Sequence, residues 1–546
     1  MKTSDLLVKC LEEEQVEYIF GIPGEETIDI MESLRASKID FIPVRHEQGA
    51  AFMADVYGRL TGKAGVCLAT LGPGATNLIT GIADANLDRA PLVAITGQTG
   101  MKGMHKESHQ YIDVVEIIRP ITKWNAQIRQ GEVVPEVIRK AFKIAQREKP
   151  GATHIELPED LAEMEVNEDI QPFKARPTSI GSPETDDIER AVAMLKEAKK
   201  PLILAGNGVI RAKASEELVR FAEANNIPVA NTFMGKGVIP YTHPLALMTI
   251  GLQAYDYVAC GFDAADLIIT VGYDFVEYEP SHWNDDRNKK IIHIDTQPAE
   301  VDSCYRVELE IVADLRKTLT ELTTASGFDK SWGMVTKLRE MILEELSNHH
   351  DSTEFPVKPQ KLIHDLRHCL ADDDILISDV GAHKMWIARM YPATRPNTAI
   401  ISNGYATMGF AVPGGVAAKL AHPNRKVVAV TGDGGFMMNS QEIETALRIK
   451  TPFVIVIVND GGYGLIKWKQ ENKFGKYTGI EFTNPDFVKY AESFGAKGYR
   501  VEKTTDFIPI LKQALADEVV AVIDVPVDYS ENLKLTSRLG KHICPI

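Results

Sequence analysis

The sequence predicts an α/β protein built from three doubly wound parallel-sheet units, and this architecture rests on three observations. Short β-branched apolar runs alternate with amphipathic helical stretches along the whole chain, the pattern of parallel sheets covered by helices. Two polar, Pro-bearing segments without periodicity, "VNEDIQPFKARPTSIGSPETDD" (166–187) and "SNHHDSTEFPVKPQ" (347–360), interrupt that alternation. The stretch "GAAFMADVYGRLTGKAGVCLATLGPG" (49–74) repeats the order of elements in "GFAVPGGVAAKLAHPNRKVVAVTGDG" (409–434), helix, strand and Gly-X-Gly turn, as a duplicated domain would. The expected units are 1–165, 186–346 and 358–546, with linkers at about 166–185 and 347–357.

The first unit opens with "MKTSDLLVKCLEEEQVEYIF", an amphipathic helix leading into a strand rather than a charged-then-apolar leader. In "FIPVRHEQGAAFMADVYGRL", Glu47 follows a strand and starts a helix whose apolar face is Ala50, Met53, Ala54 and Tyr57. A carboxylate there is ordinarily a favourable partner of the helix dipole. His46 has no metal partner at ligand spacing and reads as a hydrogen-bonded structural histidine. "GIPGEETIDIMESL" reads as a turn and helix start.

The middle unit carries a Gly-rich turn in "PLILAGNGVIRAKASEELVRFA" and a strand with a trailing acid in "KIIHIDTQPAEV". A nucleotide site at Gly206, Gly208 and Asp295 is one reading. The turn lacks the third glycine, and Asp295 lies about 90 residues on rather than about 20, so a plain Rossmann-like α/β domain is preferred.

The third unit contains "VVAVTGDGGFMMNSQEIETALRIKTPFVIVIVNDGGYG" (427–464). Val427–Thr431 reads as a buried strand, Asn439–Lys450 as a helix with an Asn-Ser-Gln-Glu capping signal, and Phe453–Val458 as a second strand. In a right-handed βαβ unit Asp433 and Asp460 emerge at the same carboxyl edge. Gly432, Gly434 and Gly435 let a ligand approach the backbone where a helix begins, and such ends favour phosphate. Two carboxylates beside phosphate point to Mg²⁺. In the first copy Pro73 stands where the third has Asp433, so the copies have diverged.

Composition narrows the function further. Of 546 residues, 44% are hydrophobic and 25% charged, as in ordinary globular proteins. With 76 acids against 60 bases, a net charge of −16 and no basic block, nucleic acid is excluded as a partner. No run of 18 uncharged apolar residues predicts a membrane span, so a cytoplasmic protein is expected. Cys10, Cys67, Cys260, Cys304, Cys369 and Cys544 form no CxxC pair and are expected to be reduced.

The Gly432-Asp433-Gly434 turn followed by Asn459-Asp460 resembles the thiamine-diphosphate motif. "GIPGEE", "RHEQGAAFMADVYGRLTG", "LGPGATNLITGIADA", "SHQYIDVVEIIRPITKW" and "NGYATMGFAVP" resemble acetolactate synthase catalytic chains, in family order over nearly the whole length. "VGYDFVEYEPSHWN" and "VIDVPVDYSENLKL" are similar to the catabolic, flavin-independent type. The resemblance implies that Asp433, Asp460 and the Gly462 carbonyl ligate Mg²⁺, and that Glu47 hydrogen-bonds the pyrimidine ring of thiamine diphosphate to start proton abstraction. It implies that Met408 wedges under the folded cofactor and that Gln110 stands near the substrate. Gly381 and His383 would flank the diphosphate, with Pro23, Gly24, Gly432, Gly434, Gly435 and Tyr463 completing the cofactor contacts. The implied activity is decarboxylation of pyruvate and ligation of the hydroxyethyl unit to a second pyruvate, giving 2-acetolactate and CO2, without FAD. A related 2-keto acid decarboxylase or acyl transferase is the alternative. Because Glu47 of one subunit meets Asp433 of another in such enzymes, a homodimer or homotetramer is implied. One departure stands out: relatives place Trp or Gln where this chain has Lys469, with Trp468 just before it, beside the acceptor pocket.

Overall fold

The structure is a computed structural model that describes residues 1–176, 178–251 and 256–532. Its framework is three six-stranded sheets. The first contains β1 (Tyr18–Gly21), β2 (Asp40–Pro43), β3 (Gly65–Ala69), β4 (Leu92–Gln98), β5 (Trp124–Gln127) and β6 (Ala152–Pro158) in the order β2-β1-β3-β4-β6-β5. The second contains β7 (Pro201–Ala205), β8 (Val229–Asn231), β9 (Ala246–Thr249), β10 (Leu267–Val271), β11 (Lys290–Asp295) and β12 (Val307–Val312) in the order β12-β11-β10-β7-β8-β9. The third contains β13 (Ile375–Ser378), β14 (Ala399–Ile401), β15 (Val427–Gly432), β16 (Val454–Asn459), β17 (Lys497–Arg500) and β18 (Ala521–Pro526) in the order β14-β13-β15-β16-β18-β17. The pairings are parallel throughout. This accounts for the near-continuous apolar runs of the inner strands, which are covered by helices on both faces.

Counted within each unit, the first and third sheets have the same strand order, matching the repeat seen in the sequence. The second has the order of a dinucleotide-binding fold, read from β9 to β12. The first and third sheets also share one core: the duplicated helices, Glu47–Thr61 and Ala411–Ala421, pack on each other. Phe52 meets Phe410 edge to face at 5.7 Å, and Gly414 lets Val56 come close. No helix or strand lies between Glu163 and Thr185, or between Ser347 and Pro359, among the described residues. No helix among them is long and apolar enough to cross a membrane.

Two expectations are corrected. The helix expected over Asn439–Lys450 is two helices, Asp433–Asn439 and Glu442–Arg448, and the first starts directly after β15. The capping signal fails because Asn439 ends the first helix and its side chain is used elsewhere, its amide donating to the Gly409 carbonyl at 2.9 Å and its oxygen accepting the Gln441 amide at 3.2 Å. Cys10, Cys67, Cys304 and Cys369 are free, but Cys260 is disulfide-bonded, which a search for CxxC spacing could not reveal. Cys544 lies outside the described residues.

Candidate active site

Pairing of Gly432 with Val458 aligns the ends of β15 and β16, so Asp433 and Asp460 leave the sheet at one edge. Asp433 is the first residue of its helix and is 1% exposed. One carboxylate oxygen accepts the Gly434 N–H at 2.9 Å; the other accepts the Gly461 N–H at 2.8 Å and the Asn484 amide at 2.7 Å. These donors fix the carboxylate across the mouth of the two strands. Burial raises the Asp433 carboxyl pKa, and the three donors oppose the rise. Burial and then the Asp433 charge push Asp460 up to about 7, with Lys467 opposing. Gly464 is required beside it, since a Cβ there would stand 2.4 Å from an Asp460 oxygen.

A divalent cation between the two carboxylates would offset this repulsion. The Gly462 carbonyl, which accepts the Gly464 N–H at 3.1 Å, keeps a second lone pair for such an ion. Two carboxylates and a carbonyl are hard oxygen donors suited to Mg²⁺. Among the described residues no group of three or more His, Cys, Asp or Glu side chains is placed to hold a metal, so the remaining ligands would have to be ligand or water oxygens. The donor set therefore fits a Mg-diphosphate group.

The floor of the site hangs from Asp379, directly after β13. Its fully buried carboxylate accepts the Gly409 N–H at 2.9 Å, the Ala411 N–H, the Val380 N–H and the Thr431 hydroxyl at 3.1 Å. Gly409 has φ +84°, a conformation that favours glycine, so the half-buried Met408 is followed by a backbone pinned on both sides. His383 sits on Gly381 and beside Gly432; a Cβ on either glycine would touch its ring. Burial lowers the His383 pKa to about 4, and its buried Nε2 lacks a hydrogen-bond partner. A neutral imidazole with one open nitrogen next to the glycine turn suits a polar ligand.

A cavity of about 480 Å³ lies elsewhere, but the one of about 410 Å³ beside Asp460 borders the chemistry. Asp460, Lys467, Trp468, Glu471 and Tyr529 line it. Trp468 is 6% exposed and forms its wall, whereas Lys469 is on the exposed side of the helix Gly464–Phe474. Tyr463 packs edge to face on Phe482 next to Gly434.

In the first unit Glu47 begins the helix Glu47–Thr61, and His46 caps it by accepting the Gln48 N–H on Nδ1 at 3.1 Å. Glu47 is 8% exposed and accepts the Asn77 amide at 2.9 Å. It therefore faces the helix Pro73–Asn77, the first-copy counterpart of the Asp433 turn. Gly24 packs on Thr70, where a Cβ would come within 2.4 Å, and its N–H donates to Thr27, fixing the Pro23-Gly24 turn. Gln110 is exposed at φ +56°, its backbone against Gly72. The sequence-predicted residues thus fall into two sets. Gly381, His383, Met408, Gly432, Asp433, Gly434, Gly435, Asp460, Gly462 and Tyr463 follow strands of the third sheet, and Pro23, Gly24, Glu47 and Gln110 follow strands of the first.

The sequence reading missed Asp379, Asn484 and Glu442. Asp379 carried a signal, an acid directly after a strand in "SDVGAHKMW"; Asn484 carried none. Glu442, fully buried, accepts the Arg45 N–H and ties the helix Glu442–Arg448 to the turn before Glu47. In the middle unit, both carboxylate oxygens of Glu277 accept the Asn207 N–H at 3.1 Å, and Thr232 also donates to Glu277. A protein carboxylate occupies the turn a nucleotide phosphate would use. Gly206 and Gly208 abut Gly272, where a Cβ would stand 2.4 and 2.6 Å from its backbone, so close packing of the chain demands them.

The comparisons agree with this geometry. Residues 1–117, 188–322 and 379–525 match, in order, the "Thiamine pyrophosphate enzyme, N-terminal TPP binding domain", the "central domain" and the "C-terminal TPP binding domain". The chain is 36% identical to the "Probable acetolactate synthase large subunit" of Methanococcus aeolicus, over 98% of this chain and 93% of the relative. It is 34% identical to the "Acetolactate synthase" of Bacillus subtilis, over 98% and 94%, and 35% identical to the "Acetolactate synthase, catabolic" of Raoultella terrigena, over 98% and 97%. With likeness of this kind over nearly the whole chain, the chain belongs to the acetolactate synthase group of the thiamine pyrophosphate enzyme family.

Proposed function

We propose that the chain is an acetolactate synthase that decarboxylates pyruvate and joins the two-carbon unit to a second pyruvate, releasing CO2 and 2-acetolactate. The observation that carries the reading is the convergence of Asp433, Asp460 and the Gly462 carbonyl at the edge of β15 and β16. Thiamine diphosphate, when bound, supplies a carbanion at its thiazolium ring and accepts the electrons left by CO2. The residues do the rest. Asp433 and Asp460 with the Gly462 carbonyl would hold Mg²⁺, the N–H groups after Gly432 and the open Nε2 of His383 would receive the diphosphate, and Met408 would support the bound cofactor. Glu47, held by Asn77, exchanges a proton with the pyrimidine ring. Trp468 closes the acceptor side against water. The three units act as 1–165 for the pyrimidine, 186–346 as a spacer and 358–546 for the diphosphate.

The active unit in this proposal is a homodimer or a homotetramer. Tyr405, Met437, Met438, Tyr463 and Ile466 stand exposed on segments after β14, β15 and β16, an apolar edge that a partner's Glu47 unit would cover. No flavin is needed, because Glu277 fills the turn where a nucleotide would bind. A cytoplasmic location completes the proposal. The test is incubation with pyruvate, thiamine diphosphate and Mg²⁺ without FAD, followed by product identification. Acetolactate supports the reading; acetaldehyde alone would move the chain to the decarboxylases, and a strict need for FAD would overturn the flavin-free assignment.

A further inference from the structure

Away from the acid pair, the helices Glu47–Thr61 and Ile79–Leu87 and the residue capping the second bury three carboxylates, Asp55, Asp84 and Asp88, around Arg59. All three carboxylates are fully excluded from solvent. Asp88 accepts Arg59 Nη2 at 3.1 Å and the N–H groups of Asn403 and Gly404 at 3.1 and 2.5 Å. Arg59 also donates to the Ile401 carbonyl at 3.1 Å. One oxygen of Asp84 accepts the hydroxyls of Ser402 and Thr407, each at 2.7 Å. Ser402 in turn accepts the Thr407 N–H at 3.0 Å, closing the loop on itself. Apart from the Arg59–Asp88 pair and the Thr407–Ser402 bond, these bonds cross from the first unit to residues 401–407 of the third, the segment that delivers Met408.

Past Met408, Asp379 and Asn439 hold the Gly409 N–H and carbonyl. Met408 is therefore suspended between two carboxylate clamps, Asp84 with Asp88 on one side and Asp379 on the other. The first clamp contains an imbalance. Both oxygens of Asp55 and the second oxygen of Asp84 are buried without a hydrogen-bond donor, and Asp55 has an ion pair with Arg59 Nε at 3.8 Å. Buried carboxyl oxygens that lack a donor favour the protonated form. Burial raises both, Asp84 to about 7, and the Asp88 charge adds to the rise, against Arg59. Lys384, one residue after His383, is buried, and burial lowers its pKa to about 8, against the charges of Asp88 and Asp84.

We propose that Asp84 is a positioning residue which, by accepting the Ser402 and Thr407 hydroxyls, holds residues 402–407 so that Met408 stands where it supports the bent cofactor. The inference rests on the reading of Met408 as that support.

The test uses the full chain with Asp84→Ala, Asp84→Asn, and a Ser402→Ala/Thr407→Val pair that cuts the same bonds from the other side. Two readouts are needed: amide hydrogen exchange of Thr407 and Gly409 in the cofactor-free protein, and deuterium exchange of the thiazolium proton in protein saturated with thiamine diphosphate and Mg²⁺, without pyruvate. Asp84→Ala and the Ser402/Thr407 pair should speed the amide exchange by about tenfold or more, the effect of losing a buried hydrogen bond, and slow the thiazolium exchange. Asp84→Asn keeps the acceptor oxygen and should restore both. If Asp84→Ala does not fold, the Ser402/Thr407 pair decides alone. Wild-type rates in the variants that cut the bonds, or an Asp84→Asn as impaired as Asp84→Ala, would overturn the proposal. Thiazolium exchange precedes any choice of keto acid, so a chain that makes no acetolactate yet shows these effects refutes only the proposed activity.

Discussion

Glu47→Gln separates the proposed proton transfer from the ordinary structural use of an acid at a helix start. Glutamine has the same length and retains an oxygen to accept the Asn77 amide, which now lies 2.9 Å from the Glu47 carboxylate. Replacing a charged acceptor by a neutral one costs about 1 kcal/mol, and the His46 cap of the same helix is untouched. A drop of about 2–4 °C in the unfolding midpoint is the expected size in a unit of this length. The glutamine amide cannot pass a proton to the pyrimidine ring, so thiazolium exchange should slow by about 10²–10⁴-fold, the usual weight of a positioned acid–base group. Glu47→Ala serves as the contrast: it leaves the Asn77 amide without its acceptor, adds about 1–3 kcal/mol of destabilisation, and slows exchange to a similar extent. Exchange is followed by acid quench and proton NMR of the released cofactor, stability by scanning calorimetry. If Glu47→Gln exchanges the proton at the wild-type rate while bound, Glu47 returns to the role of a dipole partner.

Asp433→Ala should abolish cofactor binding at millimolar Mg²⁺, because it removes a metal ligand and frees the Gly461 N–H and the Asn484 amide; near wild-type affinity by isothermal titration would sink the metal assignment. Glu442 is pushed up to about 7 by burial, against its hydrogen bonds. Since its folded pKa lies above the unfolded value, its contribution to stability is fully present below the usual glutamate range and is lost as pH rises toward 7. Wild type should therefore lose midpoint relative to Glu442→Gln between pH 4.5 and 7.5, by up to about 3 kcal/mol equivalent; parallel midpoint curves would contradict this. Lys469→Gln should leave the ratio of acetolactate to acetoin unchanged when pyruvate and acetaldehyde compete, because Trp468 rather than Lys469 lines the cavity at Asp460; a shift toward acetoin would place Lys469 in acceptor recognition.

What could be read from the sequence was whatever repeats locally. β15 and β16 announced themselves as β-branched runs because parallel strands are buried on both faces, and the acids at their ends followed from the handedness of the crossover. The duplicated order of elements was legible for the same reason, and the shared strand order of the first and third sheets bears it out. The clamps were not legible. Asp84 and Asp88 meet Ser402, Asn403 and Gly404 across more than three hundred positions, a separation no window of periodicity spans. Asn439 shows the converse failure: its local pattern promised a cap, and a distant carbonyl claimed the side chain. Glu277 likewise settles the character of the middle unit from seventy residues away.

The duplication also suggests why the chemistry is divided as proposed. Both copies place a glycine-flanked turn and a helix start at the carboxyl edge of the third strand in their sheet, Gly72-Pro73-Gly74 after β3 and Gly432-Asp433-Gly434 after β15. An acid at both turns would bury like charges around one cofactor, and the Asp433–Asp460 pair already drives Asp460 to about 7. Proline at the first turn removes both the charge and an N–H donor, so that edge favours an uncharged ring rather than a diphosphate. The remaining acid of the first copy, Glu47, stands one helix earlier and points at the turn through Asn77. On the proposed reading, one edge would hold phosphate and metal while its copy exchanges a proton. In the proposed oligomer, the apolar residues exposed around the third edge would be where a second subunit brings the two together.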